Sequence, residues 1–385
     1  MVRKFLLLGF CLILFCSPLH AQQPQDSTVQ LMEQFTNAFG PPGFEDDVRQ
    51  LFEREMRTRG AEVSTDGLGS VIARVAGSAD RPRIMVDAHL DELGLMVRYI
   101  TPDGFVKVQT LGWWLVPSLF NQHWTIKTEK GLVPAVSGFL DAHIASADDA
   151  KAFAAELKNV SLDVGARSRE DAEAMGIRPG DPIVPSTAFT TLANNRYAAK
   201  AWDDRIGLMI LVEALNRLKK EGATTPNALY LTGTVQEEIG LRGATTTANT
   251  IKPDLGIALE VGIAADYPGS TPDQAEERLG LGPAVFAYDN SVLPNVKLRE
   301  FFRLVAREKN IPLQTDLVVG YGEDAAVMQR YGTGTPVINF VVPTRYTHTA
   351  TGVIDRRDFD QAVDLLVEVL KRLDAKTVAE IAHFD

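Results

Sequence analysis

Cysteine is almost missing from this chain. The only two, Cys11 and Cys16, sit in the apolar segment that follows Met1, so a chain cut after that segment holds none, which excludes disulfides and a cysteine nucleophile. Positive charge is also in short supply: 39 Lys and Arg stand against 50 Asp and Glu, for a net charge of −11. Such a surface repels nucleic acid and anionic membranes, and no basic run or aromatic-basic stripe interrupts it. Neither nucleic-acid binding nor stable membrane association is expected. No hydrophobic run is long enough to span a bilayer; the one at Phe5 to Cys16 holds about 12 residues. With Arg3 and Lys4 ahead of it and the small Ala21 behind, it reads as a signal peptide over residues 1–21, and the protein as exported, periplasmic or secreted. Internal repeats and long low-complexity tracts are lacking too.

What remains is ample for a large core and two domains. Helical spacing runs from Val29 to Phe39 and from Phe44 to Arg59, alternating strand patterns cover Ala61–Thr65 and Val71–Val75, and the apolar run Ile84-Met85-Val86 leads into His89. The texture changes near Met96. Short strand-like pieces at Gly104–Leu111, Trp124–Thr128 and Val133–Phe139 lie among glycines and prolines, with one polar helix at Asp148–Lys158, which predicts a small β-rich insert over 96–195. From Trp202 strands and helices alternate to the last helix at Phe359–Leu373. That order implies a mostly parallel sheet with helices on both faces, an α/β fold built from 22–95 and 196–385.

Chemistry gathers at the strand ends. His89 in V-D-A-H-L-D-E, Asp203 in K-A-W-D-D-R, Glu238 in V-Q-E-E-I-G, Glu260 in A-L-E-V-G and His348 in R-Y-T-H-T each follow an apolar run, the place where an open α/β sheet collects its ligands. Two histidines and three carboxylates form a mixed N/O set suited to zinc or cobalt, and one carboxylate can bridge two ions at roughly 3.5–4 Å. Glu237 is left over beside a ligand, free to act as a base. Asp91, two residues after His89, is spaced to put a carboxylate on the second ring nitrogen of that histidine. Paired acids at Asp203-Asp204 are by themselves compatible with simple helix capping. His123 and His143 lack a comparable carboxylate context and read as structural.

The stretches A-H-L-D-E-L-G-L-M-V, K-A-W-D-D-R-I-G, V-Q-E-E-I-G-L-R-G-A, A-A-D-Y-P-G and T-R-Y-T-H-T together resemble the ordered motif set of the co-catalytic metallo-aminopeptidases that include glutamyl aminopeptidase, deblocking aminopeptidase and the tetrahedral TET peptidases. The resemblance implies a three-layer α/β/α zinc-peptidase sandwich with an inserted β-barrel-like dimerisation domain, assembled as a homo-oligomer. It implies that His89 and Glu260 hold one divalent ion, Glu238 and His348 a second, and Asp203 both, with Glu237 as general base and Asp91 supporting His89. Peptides with a free N-terminus are then the substrates, since carboxylates around the site favour an α-ammonium group.

Three features depart from that pattern. Glu260 stands where an aspartate is usual, Gly322-Glu323-Asp324-Ala325 replaces a threonine-containing turn, and Trp113-Trp114 occupies the place of a glycine pair. A leader peptide is also atypical for a family known mainly as cytosolic. Two rival readings are a different metal-dependent hydrolase or endoglucanase-like glycosidase, in which Glu237 and another acid form a glycosidase pair, and a catalytically silent, metal-stabilised binding protein.

Overall fold

The computed structural model describes residues 26–384, so the leader expected over 1–21 lies outside the described residues. An eight-stranded sheet forms the centre, in the order Glu62–Thr65, Val71–Val75, Ala228–Thr234, Arg83–His89, Leu255–Ile263, Val337–Thr344, Ala284–Asp289, Gln314–Val318. The four central strands run parallel, and the sheet reverses direction at Val71–Val75 on one side and at Ala284–Asp289 on the other.

Central parallel strands are covered on both faces and so must be apolar throughout. Arg83–His89 and Val337–Thr344 meet that demand, being buried almost end to end. Alternate residues then serve opposite layers. Ile84, Val86, Ile257, Leu259, Ile338 and Phe340 face one side, in a core shared with helices such as Trp202–Lys220 and Arg356–Leu370. Met85, Ala258 and Val337 face the other, against the helices Arg242–Ile251 and Ala325–Gln329. The result is a three-layer α/β/α sandwich, as the alternation of patterns leads one to expect.

Strand Gly94–Ile100 leaves the sandwich five residues past His89 and enters a closed barrel. Its strand order is Gly94–Ile100, Val106–Leu111, Ser161–Asp163, Gly131–Ser137, His123–Thr128, Pro182–Pro185. The barrel has its own core around Leu95, Val108, Trp124, Ile126 and Ile183. The chain returns through Arg196–Ala199, which pairs antiparallel with Gly352–Asp355, and delivers Asp203 back to the place where the barrel began.

Some local expectations are corrected. The polar helix ends earlier than its composition predicts, covering Ala147–Ala154 before a separate 3-10 turn at Leu157–Asn159. The strand Ala284–Asp289, lodged between glycine- and proline-rich turns, is announced by no pattern in the sequence. Of the paired acids at the start of the helix Trp202–Lys220, both with non-helical dihedrals and joined by a cis peptide bond, Asp204 does cap, its carboxylate accepting the Gly207 N–H at 3.0 Å, while Asp203 turns into the site. Among the described residues no helix is long and apolar enough to cross a membrane.

Candidate metal centre

Neighbouring parallel strands end side by side, and the site stands on those ends. His89 closes Arg83–His89 in register with Thr234, Glu237 and Glu238 follow the strand Ala228–Thr234, Glu260 lies near the end of Leu255–Ile263 beside Val341, and His348 follows Val337–Thr344. Local backbone tension fixes the turns that carry them. Ala201, Gln236, Tyr346 and His348 all have φ between 55° and 60°, a left-handed conformation that non-glycine residues adopt at a cost and that clusters at functional sites.

All five sequence-predicted ligands converge. His89 Nε2 lies 3.0 Å from Asp203 Oδ1 and 3.5 Å from Glu260 Oε1, while His348 Nε2 lies 3.3 Å from Asp203 Oδ2. Three groups have donor atoms within 4.8 Å of one another: His89-Asp203-Glu260, Asp203-Glu238-His348 and His89-Glu237-Glu238. The first two share Asp203, one oxygen of which faces each histidine. Glu237 approaches from the side, its Oε2 4.0 Å from His89 Nε2.

Asp91 acts differently from the expected contact. The closest acceptor to His89 Nδ1 is the Asp91 backbone carbonyl at 2.9 Å, with the carboxylate at 3.7 Å. That carboxylate instead accepts the backbone N–H groups of Glu237 at 3.0 Å and Glu238 at 3.1 Å, so one residue orients His89 through its main chain and the Glu237-Glu238 turn through its side chain. His348 is oriented in the same manner by the Trp113 carbonyl, 2.7 Å from Nδ1. Asp204 accepts the N–H of His89 at 3.3 Å and of Gly207 at 3.0 Å. The orienting role of Trp113 has no signal in the sequence, because a backbone carbonyl leaves no trace in residue type; that of Asp204 could have been sought in the paired acids Asp203-Asp204.

The longer arm of Glu260 is accommodated by folding back. Its Oε2 accepts the N–H of the next residue, Val261, at 3.1 Å and lies 3.4 Å from the Tyr321 hydroxyl, which leaves Oε1 directed at His89. Asp266, the other acid near this strand end, is paired with Arg345 at 2.5 and 2.8 Å and takes no part. His123 is the exposed first residue of the barrel strand His123–Thr128 and His143 pairs with Asp141 on the surface; both stand outside the cluster.

Electrostatics tests whether a cation belongs in this pocket. Burial pushes the carboxyls of Glu237 and Glu260 well above the ordinary range, neighbouring acids adding to the effect, and raises Glu238 to about 8. Burial would lower His89, but the charges of Glu260, Asp203, Glu237 and Asp91 outweigh it and hold the ring well above its usual value. Asp203, which burial would raise, is instead held below the carboxylate range by hydrogen bonds from His348 and His89. Among the described residues no Lys or Arg pairs with any of the four carboxylates, and Glu238 Oε1 is buried without a partner. So many acids in one largely buried cluster favour a compensating cation over protonation of each carboxyl, and the donor set fits divalent ions with N/O preference. Beside the cluster opens a cleft of about 450 Å³, bounded by Trp113, Leu115, Leu241 and Tyr321.

Residues 69–365 match the family model described as M42 glutamyl aminopeptidase. The lysyl aminopeptidase of Pyrococcus furiosus is 37% identical over 354 residues, which cover 90% of this chain and 98% of that protein. Among solved structures, a TET aminopeptidase from a marine sediment thaumarchaeon is 40% identical with a TM-score of 0.89, over 93% of this chain and 99% of that one. The TET1 peptidase of Pyrococcus horikoshii, which can assemble into a tetrahedron or a large octahedral shell, is 26% identical with a TM-score of 0.80, over 90% of this chain and 100% of that one. Fold, ligand cluster and relatives agree, and the chain belongs to the M42 glutamyl aminopeptidase family.

Proposed function

We propose that this protein is a dinuclear metal-dependent aminopeptidase that removes N-terminal residues from peptides. The observation that carries the reading is the position of Asp203, shared between the His89-Glu260 and Glu238-His348 groups with one oxygen turned to each histidine. His89, Glu260, Glu238, His348 and Asp203 would hold two divalent ions such as zinc or cobalt, which would supply Lewis acidity and lower the pKa of a water from about 15.7 toward 7. Glu237 needs no place in either shared group, and its carboxylate takes the proton of the attacking water and returns it to the departing amine. Asp91 holds Glu237 at the required height through its N–H.

The same proposal includes export of the mature chain and its self-assembly. N-terminal sequencing of the protein from its native host checks the first; a mature chain that still begins at Met1 overturns it.

For the chemistry, metal is counted per chain and amino-acid release from aminoacyl amides is followed with and without a chelator, beside reducing-sugar release from an oligosaccharide. Two ions per chain and chelator-sensitive amide cleavage are expected. Sugar release would revive the glycosidase reading, and metal binding without turnover the silent-scaffold one. Asp203→Asn is expected to lose or misplace both ions, because a neutral amide bridges two cations poorly; a variant with two tightly held ions contradicts the bridge.

A further inference from the structure

Trp113-Trp114-Leu115 leads out of the barrel toward the metal centre. Trp114 is the anchor: it is buried in the barrel core, its indole N–H donates to the Gly94 carbonyl at 3.1 Å, and its ring meets Trp124 edge-on at 5.8 Å. The residues on either side of it point outward. Trp113 is 69% exposed and Leu115 65% exposed, yet both line the cleft beside the ligand cluster, with Trp113 standing 6.0 Å from the His348 ring. Large apolar side chains left open to water next to reacting groups mark a ligand surface. Across the cleft, Leu241, Ile263 and Tyr321 add further apolar area.

Charge is what the walls lack. Among the described residues no Lys or Arg lines this cleft, and every acid on its wall belongs to the metal cluster. Arg242, next to Leu241 in the chain, reaches instead to Gln236 at 3.3 Å, and Arg345 is engaged by Asp266. A glutamyl side chain would enter with no cation to meet it, and a lysyl side chain would find no acid beyond the ligands except Glu237, the base that the reaction itself needs; burying either charge unpaired is costly.

Resting on the aminopeptidase reading above, we infer that the cleft receives the side chain of the substrate's N-terminal residue and selects an uncharged apolar one such as leucine, methionine or phenylalanine, with Trp113 and Leu115 as specificity-determining contacts. The test uses the metal-loaded full chain with leucyl, phenylalanyl, alanyl, glutamyl and lysyl amides. Leucyl and phenylalanyl amides are expected to exceed glutamyl and lysyl amides in kcat/KM by a factor on the order of 10² or more, the range in which an apolar pocket discriminates. Leu115→Arg, a change at an exposed position, is expected to narrow the leucyl-to-glutamyl ratio by about tenfold or more. Calorimetric binding of free leucine against free glutamate gives the same ranking without turnover. A wild-type preference for glutamate or lysine, or a Leu115→Arg ratio equal to wild type, overturns the assignment of this cleft. Failure to cleave any amide overturns the aminopeptidase reading and this inference with it.

Discussion

Glu237 and its neighbour Glu238 are the same residue type in different surroundings. Glu238 falls in a group with Asp203 and His348, whereas Glu237 lies outside both groups that contain Asp203, buried with its carboxylate 4.0 Å from His89 Nε2. Glu237→Gln keeps the size and the Asp91 contact, which runs through the backbone, and removes only the base. Metal content is expected to stay at the wild-type value while turnover falls by a factor on the order of 10²–10⁴; undiminished turnover removes Glu237 from the mechanism. A second expectation concerns protons. Burial would favour a neutral His348, but Glu238, Asp203 and the Trp113 carbonyl hold its proton up to about 10, and burial holds one on Glu238 up to about 8. Metal ligands must be deprotonated to bind. Near neutral pH the ions therefore displace protons, so affinity rises and proton release falls as pH increases from about 6 to 8. Calorimetric metal titration in buffers of different ionisation enthalpy measures both; an affinity flat across that range contradicts a protonated His348 and Glu238 in the metal-free site. The residues that converge in the cluster could be picked out in the sequence, because each is a titratable residue at the end of an apolar run. The contacts that aim them could not: Trp113 acts through a carbonyl, and Asp91 supports His89 by its main chain while its carboxylate serves a loop 146 residues away.

At the scale of elements, the site depends on how closely one helix approaches one strand end. Gly243, in the first turn of Arg242–Ile251, donates its N–H to the Val235 carbonyl at 2.9 Å, just before the Glu237-Glu238 turn. A Cβ at Gly243 would lie 2.5 Å from the Val235 nitrogen and 2.6 Å from its oxygen, and backbone atoms cannot swing aside as a side chain does. Gly243→Ala is thus expected to push the helix outward and carry the turn with it, destabilising the fold by about 1–3 kcal/mol. Turnover should drop further than the loss of folded protein explains, as thermal unfolding and active-site metal content together would reveal. A variant with the wild-type melting temperature means the helix has room to spare. The central strands and long helices could be read from the sequence because a doubly buried strand is a continuous apolar run. Ala284–Asp289 escaped because six residues between turns carry too little periodicity, and its antiparallel entry beside Val337–Thr344 is a tertiary fact.

For the molecule as a whole, the barrel is the hardest part to foresee. Its closure relies on strands as short as Ser161–Asp163 and Pro182–Pro185, which pair with segments far away in the chain; composition announces a β-rich insert but not a closed one. Along Gly131–Ser137 alternate residues point outward, leaving Leu132 63% and Val136 40% exposed on one face of the barrel. An apolar stripe on the outside of a protein with net charge −11 is a surface that a second copy of the chain can cover. The wild-type protein is expected to sediment as a homo-oligomer, and the double change Leu132→Asp with Val136→Asp to shift it to smaller species, because like charges would then face each other across a two-fold contact. Both positions are open to solvent in the single chain, so circular dichroism should show the fold intact. Analytical ultracentrifugation decides the matter: a monomeric wild type removes the assembly, and a double variant with wild-type mass places the contact somewhere other than this strand.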